Sequence, residues 1–295
     1  MRSVLGIDAA WTCTQPSGVA LAAETAAGWE LIAVAPSYQR FHALAADDLV
    51  REVRPSGSIP DAAALLASCR ARHDRPVDVV AIDMPLSHVP INGRRVSDDA
   101  VSRAYGRRKC GTHTPSASRP GQMSDDLREN FGRADYPLQT ITISAPGLIE
   151  VYPHPALLEL AHAPERLQYK AGKVRKYWPA LLPEERRAKL YRQWSEIVAL
   201  LENEIRGVAA ALPELELGAS GAKVKAYEDE LDAVVCAWVA ICALQGRAKP
   251  FGDHQAAIWV PVLGETGAVS LWSVRDQAAM DKVTNPKRPS PENSN

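Results

Sequence analysis

Four consecutive apolar residues, Val79-Val80-Ala81-Ile82, bounded by Asp78 and Asp83, constrain this chain more than any other stretch. A short run of this kind is expected as a strand covered on both faces of a sheet. It stops at Asp83, and Pro85 cannot continue a central strand. Asp83 therefore stands at the carboxyl end of a buried strand, where open α/β sheets place their ligand crevices. Asp-x-Pro is also turn chemistry, so a turn-forming role stands beside the ligand-binding one.

The chain opens with a second copy of this pattern. Ser3 to Ile7 reads as a strand ending in Asp8, followed by strands over Gly18 to Ala23 and Trp29 to Ala35. The connections are too short for parallel crossovers, so these three form an antiparallel meander. A short helix is expected over Ala43 to Val53. A clearer one runs over Pro60 to Arg72, with Asp61 in its first turn. The order is three strands, helices, then the Val79 strand.

Residues 88–146 differ in character. They are polar, rich in Arg and broken by Gly and Pro, and only Asp98 to Tyr105 has helical character. A long segment without periodicity is expected to be functional or mobile rather than core. It reads either as a solvated loop or as a lid placing Arg94, Arg103 and Arg119 over an anionic substrate. Guanidinium forks suit phosphate oxygens.

Leu148 to Tyr152 returns to strand character and contains Glu150. Pro153-His154-Pro155 starts a helix running to about His162. A basic, aromatic patch follows, with Tyr169, Lys170 and Lys173 to Trp178. Two long helices come next, Glu184 to Arg206 and Lys223 to Leu244. The second is apolar nearly all round, as a buried helix is. It carries Asp229 and Asp232 three residues apart, hence on one face. A hairpin is expected between Ala256–Val262 and Ala268–Ser273. Residues 1–284 are expected to form one domain with 88–146 as its insertion, and 285–295, rich in Pro, Asn and Ser, a disordered tail.

Several function classes are disfavoured at this point. The formal net charge is −1, which gives no global basic field for a long duplex. Positive charge is local, in 94–133 and 166–192, so the expected partner is a short single strand, a structured end or a nucleotide. Five scattered cysteines without a CxxC pair argue against a disulfide framework or a zinc site and fit a cytoplasmic protein. The N-terminus has no signal-peptide pattern and no apolar run is long enough to span a membrane.

The acids at strand ends and on the buried helix are the chemical core of the sequence. Buried carboxylates are costly unless paired, hydrogen-bonded or metal-bound. Asp8, Asp83, Asp229 and Asp232 are all-oxygen donors, which suit Mg²⁺ or Mn²⁺ rather than zinc. Two such ions about 4 Å apart can activate water and stabilise the leaving oxygen of a phosphodiester.

These pieces carry a resemblance. Gly6-Ile7-Asp8-Ala9, Ala81-Ile82-Asp83-Met84-Pro85-Leu86, the Arg94/Asp99/Arg103/Gly106 segment, Ile149-Glu150-Val151-Tyr152-Pro153-His154-Pro155, Tyr169-Lys170 and Glu228-Asp229-Glu230-Leu231-Asp232-Ala233 resemble the family called domain of unknown function 429. Its members are predicted nucleases of the ribonuclease H-like superfamily. The resemblance implies an α/β fold with a mixed sheet: a three-strand antiparallel meander plus parallel strands, flanked by helices, with a long insertion after the fourth strand. It implies Asp8, Asp83, Asp229 and Asp232 as catalytic and metal-binding residues. Ribonuclease H proper carries a further Glu on the first helix after the meander. Asp47, Asp48, Glu52 and Asp61 offer no clear match, so Glu150 is the substitute, with orientation of an insertion Arg as its other role. His154 and Lys170 join Arg94, Arg103 and Arg119 as substrate-binding candidates. The expected function is a metal-dependent phosphodiesterase or nuclease. The alternatives are a non-catalytic nucleotide- or nucleic-acid-binding module, or an ATP-dependent enzyme of the actin/sugar-kinase-like branch, although bulky Ala9-Ala10-Trp11 replaces the Gly-rich turn of that branch.

Overall fold

A computed structural model of the chain describes residues 1–45 and 55–262. The meander forms as expected: β1 (Ser3–Asp8) pairs antiparallel with β2 (Gly18–Thr25), and β2 with β3 (Gly28–Ala35). Two helices, α1 (Tyr38–Ala45) and α2 (Ala62–His73), carry the chain across to β4 (Val79–Ile82), which lies parallel to β1. Asp61 caps α2, its carboxylate accepting from the Ala64 N–H at 3.0 Å. β5 (Gly147–Val151) extends the parallel set beyond β4. The order across the seven-stranded sheet is β3-β2-β1-β4-β5-β7-β6. The last two strands are β6 (Ala248–Gly252) at the edge and β7 (Ala257–Pro261), parallel to β5.

The closing hairpin is therefore β6–β7, not a pairing of 256–262 with 268–273. The latter segment lies outside the described residues, as does the 285–295 tail and most of the helix expected over 43–53. β6 escaped notice because Ala-Lys-Pro-Phe-Gly has no alternation. As an edge strand it needs none, and an edge is where Pro250 is tolerated.

Helices cover both faces. On one lie α5 (Pro153–Ala161), α7 (Pro183–Glu204) and α9 (Gly221–Leu244), with two short helices, α6 (Val174–Tyr177) and α8 (Val208–Ala211). α9 sits directly on β1, β2 and β4, and α5 and α7 close over it. That position explains why it is apolar nearly all round: Trp238, Val234 and Ile241 have no exposed surface. Each large side chain buried this way contributes about 1.5–3 kcal/mol. Trp194 of α7 is stacked between Tyr191 and Tyr227, at 5.6 and 5.0 Å.

The insertion after β4 is more structured than its composition predicts. It holds α3 (Val96–Tyr105), packed on β6 and β7, and α4 (Gln122–Arg133). α4 packs beside α2 on the other face of the sheet, with Leu127 and Phe131 in the core beneath α1 and α2. The Ser124 hydroxyl donates to the Pro85 carbonyl and ties the helix to the end of β4. Met123, Leu127 and Phe131 carry the helical spacing, among so many charged neighbours that the pattern is diluted. Among the described residues no helix is long and apolar enough to cross a membrane.

Candidate active site

Strand alternation sets the site. Val4, Val79 and Ala81 point toward α9, while Leu5, Ile7, Val80 and Ile82 point to the opposite core. Ile7 pairs with Ile82 in the parallel register, and the Asp83 N–H donates to the Ile7 carbonyl at 2.9 Å. Asp8 and Asp83 come next on the two strands, so alternation puts both on the α9 face at the carboxyl end of the sheet.

Two glycines let α9 approach. A Cβ on Gly6 would lie 2.1 Å from the Ala233 carbonyl oxygen, and one on Gly18 would lie 2.0 Å from that of Asp229. The helix backbone thus rests on the strand backbone beside Asp8, and Asp229 and Asp232 come down near the strand-end acids. The carboxylates act on one another: Asp232, Asp229 and Asp83 each raise the Asp8 pKa.

The helical acids are already paired. Asp232 accepts from the Tyr169 hydroxyl at 2.9 Å and from the Lys170 ammonium. Asp229 accepts from Lys225 through Oδ1, whereas its Oδ2 is buried without a partner among the described residues. Glu228 accepts from the Ala171 N–H at 2.5 Å and from Lys225 at 3.2 Å. By contrast, the Asp8 and Asp83 side chains make no hydrogen bond or ion pair among the described residues. Burial pushes the Asp83 carboxyl up to about 7, against the pull of Lys170. It pushes Asp8 well above the usual carboxylate range, with Asp232 adding to it. Asp229 rises to about 6 through burial, opposed by Lys225.

Lys225 and Glu228 are site residues that the sequence reading passed over. The signal was present: Lys225 precedes Glu228 by three and Asp229 by four residues, the spacing of helical ion pairs. Lys170 was singled out for phosphate, but its ammonium sits on Asp232.

Glu150 has partners of its own, although its charge still raises the Asp83 pKa. It follows Leu148 in alternation and faces the other side of the sheet from Asp83. Its carboxylate accepts from the Leu86 N–H at 2.7 Å and from Arg95 at 2.6 and 2.7 Å. Arg95 also binds Asp98, so this buried network anchors the start of the insertion to β5. That is the other role the sequence left open for Glu150.

The remaining candidates are spread around the rim. Arg94 is engaged with Asp99, Thr114 and Ser102. Arg103 is exposed on α3. Arg119 reaches across to the loop after β1 and lies over the Trp11 ring at 5.6 Å. His154 is buried at the start of α5, its Nε2 against Arg166, its ring between Tyr152 and Tyr169. Burial, with Lys170 and Arg166 adding, holds it well below the usual histidine range.

The Cys236 thiol of α9 also faces Asp8, Asp83 and Asp232, but burial and these acids hold it protonated, so the carboxylate oxygens are the hard donors that suit Mg²⁺ and Mn²⁺. No three acidic, His or Cys side chains among the described residues stand close enough to hold an ion between them. An ion here would rest on two protein carboxylates and complete its shell with water and substrate oxygen, as Mg²⁺ commonly does.

Comparison with curated proteins and with solved structures gave no significant match. A family model described as protein of unknown function (DUF429) matches residues 6–257. That span runs from Gly6, under α9, to the start of β7 and takes in Asp8, Asp83, Asp229 and Asp232, and the chain belongs to this family.

Proposed function

We propose that the chain is a metal-dependent phosphodiesterase, a nuclease or nucleotide hydrolase, whose ion is held by Asp8 and Asp83. The observation that carries this is the contrast within the acid group. Asp229, Asp232 and Glu228 are paired with Lys225 and Lys170, whereas Asp8 and Asp83, side by side on neighbouring strand ends, have no partner among the described residues. Both are only partly exposed and crowded by other acids, and carboxylates so placed are rarely left unpaired unless something else binds them. Mg²⁺ or Mn²⁺ bound there would supply Lewis-acid activation of water and of the phosphodiester.

The chain's own residues have separate tasks. Asp8 and Asp83 supply the donors. Lys170 and Lys225 offset Asp232, Glu228 and Asp229, so the helix sits close to the strand-end pair with its repulsion reduced. Arg119, over Trp11 in the loop after β1, suits a phosphate oxygen. Local rather than global positive charge supports a short single strand, a structured end or a nucleotide as substrate.

The test is cleavage of labelled single-stranded, duplex and branched RNA and DNA, together with nucleotides, in Mg²⁺ or Mn²⁺. Activity is expected in wild type and lost in Asp8→Asn and Asp83→Asn. Activity surviving both substitutions, or a wild type inert on the whole panel, would overturn the proposal.

A further inference from the structure

A cavity of about 510 Å³ opens beside Asp8 and Asp229 at the start of α9. Its walls come from three segments: the loop after β1, residues 55 and 56, and the first turns of α9. They are held together tightly. A Cβ on Gly57 would lie 2.4 Å from the Thr14 carbonyl carbon and 2.5 Å from the Gln15 nitrogen. The two loops therefore pack backbone to backbone at Gly57, which fixes these two walls against each other.

The lining is divided by chemistry. Ala222 and Ala226, one turn apart, leave space where larger side chains would fill it, and Pro16 and Pro55 add flat apolar surface. Thr14, Gln15 and Ser56 add neutral donors and acceptors. The Gln15 amide makes no hydrogen bond with a described residue. Asp229 and Asp8 form the more buried side, the inner end, and Lys225, an exposed side chain, also lines the cavity. Asp229 is 2 % exposed, and its Oδ2 has no partner among the described residues.

An occupant must meet all three. Its body must be flat and largely apolar, its edge must carry amide-like donors and acceptors, and its inner end must donate hydrogen bonds to carboxylates. A carboxylate-bearing group is repelled by the inner acids. A base-paired end is too large for a space in the range of single small-ligand sites. We infer that this cavity takes one nucleoside unit of the substrate, its base between the proline and alanine walls and its sugar hydroxyls toward Asp229. This rests on the proposed hydrolase and narrows its substrate to a free nucleotide or to the terminal unit of a single strand. The sugar hydroxyl is also the group by which proteins separate RNA from DNA, so the ribose form is favoured.

Calorimetric titration of the full chain with AMP, GMP, CMP, UMP, dAMP, ribose 5-phosphate and inorganic phosphate tests this, each with and without Mn²⁺. Ribonucleoside monophosphates should bind at least tenfold more tightly than ribose 5-phosphate or phosphate, and AMP more tightly than dAMP. Ala226→Leu should weaken AMP at least tenfold while leaving Mn²⁺ binding and Tm at wild-type values. Ala222→Leu provides a second block should the first disturb folding. Mn²⁺ uptake without preference for nucleotides over phosphate, or AMP affinity unchanged in both variants, would overturn the inference. AMP bound through Ala226 with no Mn²⁺ uptake would uphold the cavity and sink the metal assignment, so the two failures are distinguishable.

Discussion

Asp83→Asn should make the metal-free protein more stable, and the gain should depend on pH. The Asp83 carboxyl is displaced from 3.8 to about 7, by burial first and then by neighbouring acids against Lys170. A folded-state pKa above the unfolded one means that folding favours the protonated form. The stabilisation is complete below about pH 4 and is lost as pH rises through about 7. At about 1.4 kcal/mol per pKa unit the ceiling is about 4 kcal/mol. Asp83 keeps some solvent contact and shares its field with Lys170 and Asp232, so about 1–2 kcal/mol is a fair figure after screening. For a chain this long that is a rise in Tm of about 2–6 °C near pH 8, falling toward zero near pH 4.5. Thermal unfolding of chelator-treated wild type and variant, followed by circular dichroism across that range, measures it. Saturating Mn²⁺ should reverse the order, because only wild type gains the binding term. A lower Tm for the metal-free variant near pH 8 would show that Asp83 makes structural hydrogen bonds as an anion. A gain equal at both ends of the pH range would show that ionisation is not its cause.

Gly6→Ala should cost about 3 kcal/mol or more, since its Cβ would drive into the α9 backbone at Ala233; urea unfolding reads this as a lowered midpoint. Arg95→Ala should cost about 3–5 kcal/mol by leaving Glu150 and Asp98 buried without their cation, and an Arg95→Met/Glu150→Leu double variant should recover part of it. Lys170→Met should destabilise more near pH 8 than near pH 5. It removes the cation that offsets burial of Asp232, whose penalty is relieved on protonation; Tm at the two pH values decides it.

What could be read from the sequence followed period and punctuation. The Val79 run and the Ser3–Ile7 run each end in an Asp, and in-register pairing of the two strands was enough to put Asp8 and Asp83 on one face. The apolar circumference of α9 announced its place between the sheet and two outer helices. The hidden parts depend on contacts distant in sequence. Glu150 meets Arg95 across 55 residues and Lys170 meets Asp232 across 62, and no local pattern encodes such pairings. α4 hid behind its charges, since only one face of it touches the core. Lys225 stands at helical spacing from Asp229, but the same spacing serves solvated surface pairs, so the sequence alone does not mark it as a partner of a buried acid.

The central claim is that Asp8 and Asp83 form the cation-binding pair. Calorimetric titration of wild type, Asp8→Asn and Asp83→Asn with Mn²⁺ at about pH 7.5 tests it most directly, with each fold checked by circular dichroism. The account predicts saturable uptake by wild type and a loss of at least tenfold in affinity in each variant. Equal uptake by all three proteins, or none by wild type up to millimolar Mn²⁺ with AMP present, would contradict it.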